Sequence, residues 1–352
     1  MFKRILKILG IVIGIVLLLV IGLLVFLSVT EYKPADRQMA EFALYPSGSG
    51  AEQTVTVYTW NIGYAGLGKE SDFFMDGGEM VDPPSQEIVE KNLAGIEQFI
   101  QNNPADAWLL QEVDKNSART GDMNEYARIQ GLFRIEAASA FAYNYKCPFV
   151  PIPIPPMGRV ESGIATFSTL AMPDAAERVS LPCPFSWPIR AAQIKRCLLI
   201  TRMAVEGTDK ELVLVNLHLE AYDDGEGKIA QTKLLMEVLQ QEYAKGNYVI
   251  AGGDFNQTFP GGLDAFPVKD PEKWTPGVLE QSILPDGWQF AADVSSATCR
   301  LLDQPYCEDC QLYVIDGFIL SPNVKLVEVE TIEAGFEYSD HNPVRLIAEL
   351  LS

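Results

Sequence analysis

The chain has 352 residues, 47 acidic and 27 basic, and a formal net charge of −20 at pH 7. Lys3, Arg4 and Lys7 are the only charged residues among the first thirty, so the rest carries 24 basic against 47 acidic residues, a charge of −23. Duplex nucleic acid is gripped largely through cationic contacts to phosphate, so a body this acidic repels a long polyanion unless it hides a basic groove; a small substrate escapes most of that repulsion.

Ile8 to Thr30 is uncharged and almost wholly apolar. At about 1.5 Å per residue it covers roughly 34 Å as a helix, slightly more than a hydrocarbon core of about 30 Å, and modest tilt absorbs the excess. Positive charge before the span predicts a cytoplasmic N-terminus and sends everything after Thr30 outside. A cleaved signal peptide is the rival reading, but its apolar core is shorter and Leu27-Ser28-Val29-Thr30-Glu31 is a poor cleavage site. Gly10, Gly14 and Gly22 would weaken a soluble core helix and instead suit close helix packing. Residues 1–30 are thus expected to be a basic end plus a single-pass anchor, 31–53 a polar tether with Ser47-Gly48-Ser49-Gly50, and 54–352 one catalytic domain.

Thr54 to Ile62 alternates β-branched and aromatic residues, which predicts a buried strand delivering Asn61 to its C-terminal end. A loop rich in glycine and aspartate follows, and Ser85 is placed to cap a helix reaching Asn102. Asp72, Asp76 and Asp82 do not match a calcium-binding EF-hand loop. Ala107 to Gln111 reads as a short strand presenting Glu112, and Arg119 to Gln130 as a helix. Five prolines between Cys147 and Gly158 predict an extended, irregular stretch, after which Gly163 to Leu170 returns to strand. Arg196 to Val205 and Glu211 to Leu219 form a hairpin ending on Asn216 and His218. A helix over Lys228 to Tyr243 precedes the strand Tyr248 to Ala251 and the break at Gly252-Gly253-Asp254. Gln257 to Ser295 reads as loops around short helices. Strands then cover Gln311 to Leu320, with Asp316 in an apolar setting, Val324 to Ile332 and Val344 to Leu350. Many strands with two or more helices imply a layered α/β sandwich. The six cysteines, Cys147, Cys183, Cys197, Cys299, Cys307 and Cys310, lie beyond the span, where disulfides are the favoured state; Cys307 and Cys310 have half the spacing of a zinc site but lack a second pair.

Both histidines of the chain, His218 and His341, end β-like stretches beside carboxylates and amides, with Asp254 and Asn256 between them in sequence. Hydrolysis of a phosphate ester requires neutralising anionic oxygens, orienting a water and protonating a poor leaving group. The hard oxygen donors Asn61, Glu112 and Asp340 suit magnesium, with manganese as the alternative. The histidines suit acid, base or hydrogen-bonding duties near neutral pH, and a carboxylate such as Asp316 fixes an imidazole's tautomer and favours its charged form. Asp254 and Asn256 are placed to orient or deprotonate the attacking water.

The motifs TWNIG at Asn61, LLQEVD at Glu112, VNLHLE at His218, GGDFNQT at Asp254, VIDGFILS at Asp316 and YSDHNPV at His341 together resemble the endonuclease/exonuclease/phosphatase superfamily, in its usual order over nearly the whole outer domain. The resemblance implies a four-layer α/β/β/α sandwich and a divalent-metal-dependent phosphoesterase. By motif it makes Asn61, Glu112 and Asp340 the metal side, His341 the phosphate-contacting histidine oriented by Asp316, Asp254 and Asn256 the nucleophile-positioning pair, and His218 a second histidine near the scissile phosphate. The segments 63–78 and 149–163 are not general motifs of the superfamily and look like features of a bacterial membrane-anchored branch. They are candidate rims of the substrate pocket, with Lys69 and Arg159 for phosphate and Phe73 and Phe74 for lipid; Arg300 is a further phosphate candidate through its two-pronged guanidinium. The expected function is hydrolysis of a small or lipid-borne phosphomonoester or phosphodiester outside the cytoplasm by direct water attack. The alternatives are an extracellular nuclease and a non-catalytic binding protein on the same fold.

Overall fold

The computed structural model describes residues 2–45, 48–133, 137–223 and 225–351. Helix α1 (Phe2–Thr30) is long and apolar enough to cross a membrane. The first half of the body contributes strands β1 (Arg37–Met39), β2 (Glu41–Ala43), β3 (Thr54–Asn61), β4 (Ala107–Asp114), β5 (Ala138–Val150), β6 (Gly158–Ser168) and β7 (Glu177–Ser180). The second contributes β8 (Cys197–Ala204), β9 (Glu211–His218), β10 (Tyr248–Asp254), β11 (Gln289–Ala291), β12 (Asp316–Leu320), β13 (Val324–Thr331) and β14 (Val344–Leu350). Three longer helices accompany them: α2 (Gln86–Asn102), α3 (Glu125–Phe133) and α4 (Glu226–Tyr243).

These strands make two seven-stranded sheets, ordered β1-β7-β8-β9-β10-β12-β11 and β13-β14-β3-β4-β6-β5-β2. Side chains alternate across a strand, so each sheet buries two faces with two different partners. Leu109 on β4 and Leu212 and Leu214 on β9 point into the space between the sheets, where they meet Val55, Val57, Ile250 and Phe318. Trp108 and Leu110 point the other way, onto Val89, Leu93 and Ile96 of α2 and Ile129 of α3. Val213 and Val215 likewise face Leu235, Val238 and Leu239 of α4. The result is the four-layer α/β/β/α sandwich. Ser85 caps α2 as its sequence predicts, its hydroxyl accepting from Ile88 N at 3.3 Å.

Several segments differ from their sequence reading. Within residues 31–53, read as a tether, β1 pairs antiparallel with β7 and β2 with β5, so this stretch closes one edge of each sheet. The overlooked signal is a short alternation in which Ala40 is buried and Phe42 half-buried, with Glu41 exposed between them. The helix expected over Arg119 to Gln130 is broken because Gly121 takes a left-handed conformation (φ 62°), and α3 starts only at Glu125. The proline-rich stretch is strand as far as Val150, β5 was not foreseen as a whole, and β11 emerges from a segment read as loops and short helices. Glu112 falls inside β4 instead of at its end. The six cysteines are free thiols, correcting the disulfide expectation. Cys147, Cys197 and Cys299 sit in three separate apolar clusters, where they pack as small hydrophobes. Cys307 and Cys310 bring their sulfurs to 2.8 Å.

Candidate active site

The parallel pairs β3–β4 and β9–β10 point their C-terminal ends to the same end of the sandwich, and β12 runs antiparallel to β10 so that its first residue arrives there too. In this register Asp254 lies opposite His218 on one side and Asp316 on the other. Beneath them the two sheets are joined by polar contacts. Gln111 Nε2 donates to Asn216 Oδ1 at 2.8 Å, and Asn216 Nδ2 donates to the carbonyls of Leu110 and Ala165 at 3.1 and 2.8 Å. All these groups are buried and paired, so the contact fixes the spacing of the sheets below the site.

Glu112 is aimed by a bulge. The β4–β6 register slips between Leu110 and Val113, and Glu112 takes φ 54°, a left-handed conformation costing a non-glycine residue about 1–3 kcal/mol. Asn256, in the turn after β10, is left-handed as well, at φ 49°. Asn61 Nδ2 bridges two carboxylates, at 3.3 Å from Glu112 Oε1 and 3.0 Å from Asp254 Oδ2. The Ser339 hydroxyl donates to the Asn61 carbonyl at 2.8 Å, which draws the loop carrying Asp340 and His341 onto the end of β3. Gly63 must be glycine here: its φ is 52°, and a Cβ would stand 2.9 Å from Asp340 Oδ1.

His341 Nδ1 is 2.8 Å from Asp316 Oδ2, while its Nε2 is 3.8 Å from both Asp254 Oδ2 and Asp340 Oδ2. Burial disfavours the imidazolium, but Asp316, with Asp340 adding to it, outweighs burial and holds the His341 pKa well above its ordinary value. His218 goes the other way. Burial, with Arg196 and His341 as nearby positive charges, depresses its pKa well below the ordinary value, so it is neutral at neutral pH. Its buried Nδ1 has no partner, whereas Nε2 faces Asp254 Oδ2 at 3.4 Å and Glu112 Oε1 at 3.9 Å. That environment selects the Nε2–H tautomer, which turns a donor toward the two carboxylates.

The acids are crowded. Burial and the Asp316 charge push Asp254 up to about 6, burial pushes Asp340 up to about 7, and burial also raises Glu112. Ionised carboxylates packed this closely call for a cation, and the hard oxygen donors of Asn61, Glu112 and Asp340 fit a small divalent ion. Cys299, Asp340 and His341 also bring ligand atoms within 4.8 Å of one another, as do Asp254, Asp316 and His341. In the first group the Cys299 thiol is held protonated, its pKa pushed up to about 12 by burial, and suits a hard ion poorly. In the second, the short His341–Asp316 contact makes a hydrogen-bonded pair instead of two free ligands.

A carboxyl whose pKa rises on folding keeps its proton in the native state after the unfolded chain has released it. Its stabilising contribution is therefore full below the unfolded value near 4 and is lost as pH rises through the folded value, here about 6 to 7 for Asp254 and Asp340. A cation bound among the ionised groups offsets that loss. Millimolar magnesium should raise the melting temperature at about pH 8 by at least ~3 °C more than it does at about pH 5. Equal shifts in differential scanning fluorimetry would remove the cation from this cluster.

The cluster is one end of a cavity of about 560 Å³. Asn61, Glu112, His218, Asp254, Asn256, Asp340 and His341 all line it, and Asp316 stands behind His341. Phe73 and Phe74, read as rim residues, line it too. The basic candidates fare differently. Lys69 is ion-paired with Glu337, and Arg159 binds Asp122 and the Asn116 carbonyl; neither reaches the cavity. Arg300 reaches its wall, but its Nη1 and Nη2 donate to the carbonyls of Gln304 (3.1 Å), Gly68 (2.8 Å) and Ser71 (3.0 Å), so it pins the 67–71 loop and leaves only Nε without a partner. Sequence reading passed over Arg196, which lines the cavity and is 5% exposed; its Nε and Nη1 have no hydrogen-bond partner, and its nearest carboxylate is Glu220, 3.8 Å from Nε. The available signal was a basic residue just before the apolar run Cys197 to Ile200 that opens β8, where the chain enters the core. Arg119, also missed, lies over the Tyr64 ring and is held by both oxygens of Asp114.

The sequence signature of the Endonuclease/Exonuclease/phosphatase family matches residues 58–341. The chain belongs to this family. Its members are divalent-metal-dependent hydrolases of phosphoester bonds, and the chain is an enzyme of that class. Solved structures with the same fold include an endonuclease/exonuclease/phosphatase from Beutenbergia cavernae DSM 12333, with 17% identity over 85% of this chain and 72% of that one and a TM-score of 0.56. One from Bacteroides vulgatus has 16% identity over 84% and 99%, with a TM-score of 0.55. The human Nocturnin catalytic domain, solved with a bound sulfate anion, has 15% identity over 88% and 97%, with a TM-score of 0.52. Curated protein sequences gave no match.

Proposed function

We propose that this family member is a magnesium-dependent phosphoesterase, held at a membrane by α1, that hydrolyses a small or lipid-borne phosphoester outside the cytoplasm. Manganese is the alternative ion. The observation that carries this reading is a single cavity that has the carboxylate–imidazole cluster at one end and Leu23, Leu24 and Leu27 of α1 in its wall. Lys3, Arg4 and Lys7 before the apolar run favour a cytoplasmic N-terminus.

In this reading Asn61, Glu112 and Asp340 hold the ion, which would screen the phosphate charge as the bond to the leaving oxygen breaks. Asp254, ionised above about pH 6, takes the proton of the attacking water; Asn61 Nδ2 and the Asn256 amide fix its two oxygens at 3.0 and 2.9 Å. Neutral His218 steadies the same carboxylate through Nε2–H. The His341 imidazolium, oriented by Asp316, turns its Nε2–H to a phosphoryl oxygen and stabilises the charge that develops there. Arg196, whose charge is shared with Glu220 at 3.8 Å, adds an Nη1 without a hydrogen bond for a second phosphoryl oxygen.

The test is product release by the full chain in detergent micelles from phospholipids, inositol phosphates, nucleotides, bis(p-nitrophenyl) phosphate and DNA, with magnesium, manganese or EDTA. Metal-dependent release abolished by EDTA is expected from a small or lipid phosphoester. Preference for DNA would favour the nuclease reading, which the charge of the body opposes. Binding of one of these compounds with no turnover of any would sink the enzymatic assignment to these residues.

A further inference from the structure

Opposite the catalytic cluster, the cavity wall turns apolar and is completed by α1. Leu27 is 5% exposed and packs with Val150, Met157 and Ala191, and Leu23 joins the same cluster together with Phe73 and Phe74. The contact is fastened at its outer end. Trp187 Nε1 donates to Ser28 Oγ at 3.0 Å, and Arg190 Nε donates to Glu31 Oε1 at 2.9 Å. Leu23 lies seven residues before the end of the helix, hence about 10 Å below it at the rise of an α-helix. With α1 in a bilayer, that end of the cavity opens at the depth of the upper acyl chains.

The surface around this opening is apolar in a way that water does not favour. Ile154 is 92% exposed, Ile152 73%, Ile189 59% and Trp187 54%, and all four lie on the two segments that pack around the end of α1. Scattered exposed apolar residues are ordinary, but these adjoin a helix long and apolar enough to span a membrane, and two of them, Ile152 and Ile189, line the cavity. Tryptophan is favoured at the membrane interface, and prolines at 151, 153, 155 and 156 restrict the backbone of the isoleucine loop, which bends at 153–155. The net charge of −23 beyond residue 30 rules out attraction to an anionic surface as the main adhesive, which leaves apolar insertion.

We propose, building on the phosphoesterase reading above, that this rim is seated in the outer leaflet and that the substrate is a lipid of that leaflet. Its apolar chain passes between the upper end of α1 and the 150–157 loop, and its phosphoester reaches Arg196 and the carboxylate–imidazole cluster. The anchor is accordingly one wall of the substrate site as well as a tether.

The experiment uses the full chain in nanodiscs of phosphatidylcholine containing phosphatidylglycerol and phosphatidic acid, so that lipid diesters and a monoester are all present. Rates on these lipids are compared with the rate on water-soluble bis(p-nitrophenyl) phosphate for the wild type and for I154D, a substitution at a position that is 92% exposed and lies outside the cavity lining. The expected result is a tenfold or greater loss on lipid with the soluble rate unchanged; equal lipid rates for the two proteins overturn the proposal. In parallel, lipids brominated near the top of the acyl chain should quench a component of tryptophan emission that W187F lacks. Quenching identical in the two proteins overturns membrane seating whether or not any substrate turns over. Absence of hydrolysis of every phosphoester, with Trp187 quenching present, counts against the phosphoesterase reading and supports the seating of the rim.

Discussion

Replacing His341 by alanine is expected to lower kcat about a thousandfold or more, equivalent to roughly 4 kcal/mol of transition-state stabilisation. The residue is 4% exposed, its Nδ1 is bound to Asp316 and its charge is maintained by Asp316 and Asp340, so little else in the site supplies a preorganised positive donor at that point. Asp316→Asn separates orientation from charge. It keeps the shape, costs a smaller factor of about 10–100, and lets the His341 pKa fall toward its ordinary value. Because the active form is the imidazolium, the alkaline limb of the pH–rate profile should then move to lower pH. A pH profile that is unchanged in Asp316→Asn would show that the pair does not set the protonation of the histidine.

The second large effect concerns Glu112, where activity and stability should move in opposite directions. Glu112→Gln keeps the volume and removes one of the crowded negative charges. Turnover is expected to fall about a thousandfold as the cation site loses its carboxylate, and the magnesium-induced rise in melting temperature should vanish. In EDTA above about pH 7, however, the variant should melt higher than the wild type, since burial already raises the Glu112 pKa and its ionisation is a cost to the metal-free fold. A variant that is inactive and also less stable in EDTA would assign Glu112 a structural role in β4. The left-handed backbone at this residue supports the functional reading, because strain of this kind persists where the surrounding structure holds a side chain in a required direction.

The sequence disclosed the site better than it disclosed the sheets. Asn61, Asp254 and His341 are polar residues that interrupt or terminate apolar alternation, and their motifs are local, so the chain announces them without knowledge of pairing. Glu112 was identified for the same reason, although its bulge was invisible because a register slip depends on the partner strand β6. The basic residues were the weak point. Lys69, Arg159 and Arg300 were chosen by type and neighbourhood in sequence, whereas their ion pairs and carbonyl contacts come from segments far away in the chain, such as Glu337 for Lys69. Arg196 was hidden for the converse reason: the absence of hydrogen bonds to its Nε and Nη1, with only Glu220 nearby at 3.8 Å, is a property of the folded cavity. Edge strands β1 and β2 are three residues each, too short for periodicity to register.

Those two edge strands also govern how far the catalytic body can lie from α1. Helix α1 ends at Thr30 and the first sheet hydrogen bond is made at Asp36, whose carbonyl accepts from Ser180 N at 2.8 Å. Six residues span at most about 20 Å even when fully extended, and the contacts of Ser28 and Glu31 hold the junction closer than that. Once α1 is in a bilayer, the catalytic body is confined to a thin shell of solution and travels laterally with the lipid around it. Its encounters are then counted per area of membrane, so that diluting a lipid substrate with inert lipid should slow the reaction even when the amounts of enzyme and substrate per volume stay fixed.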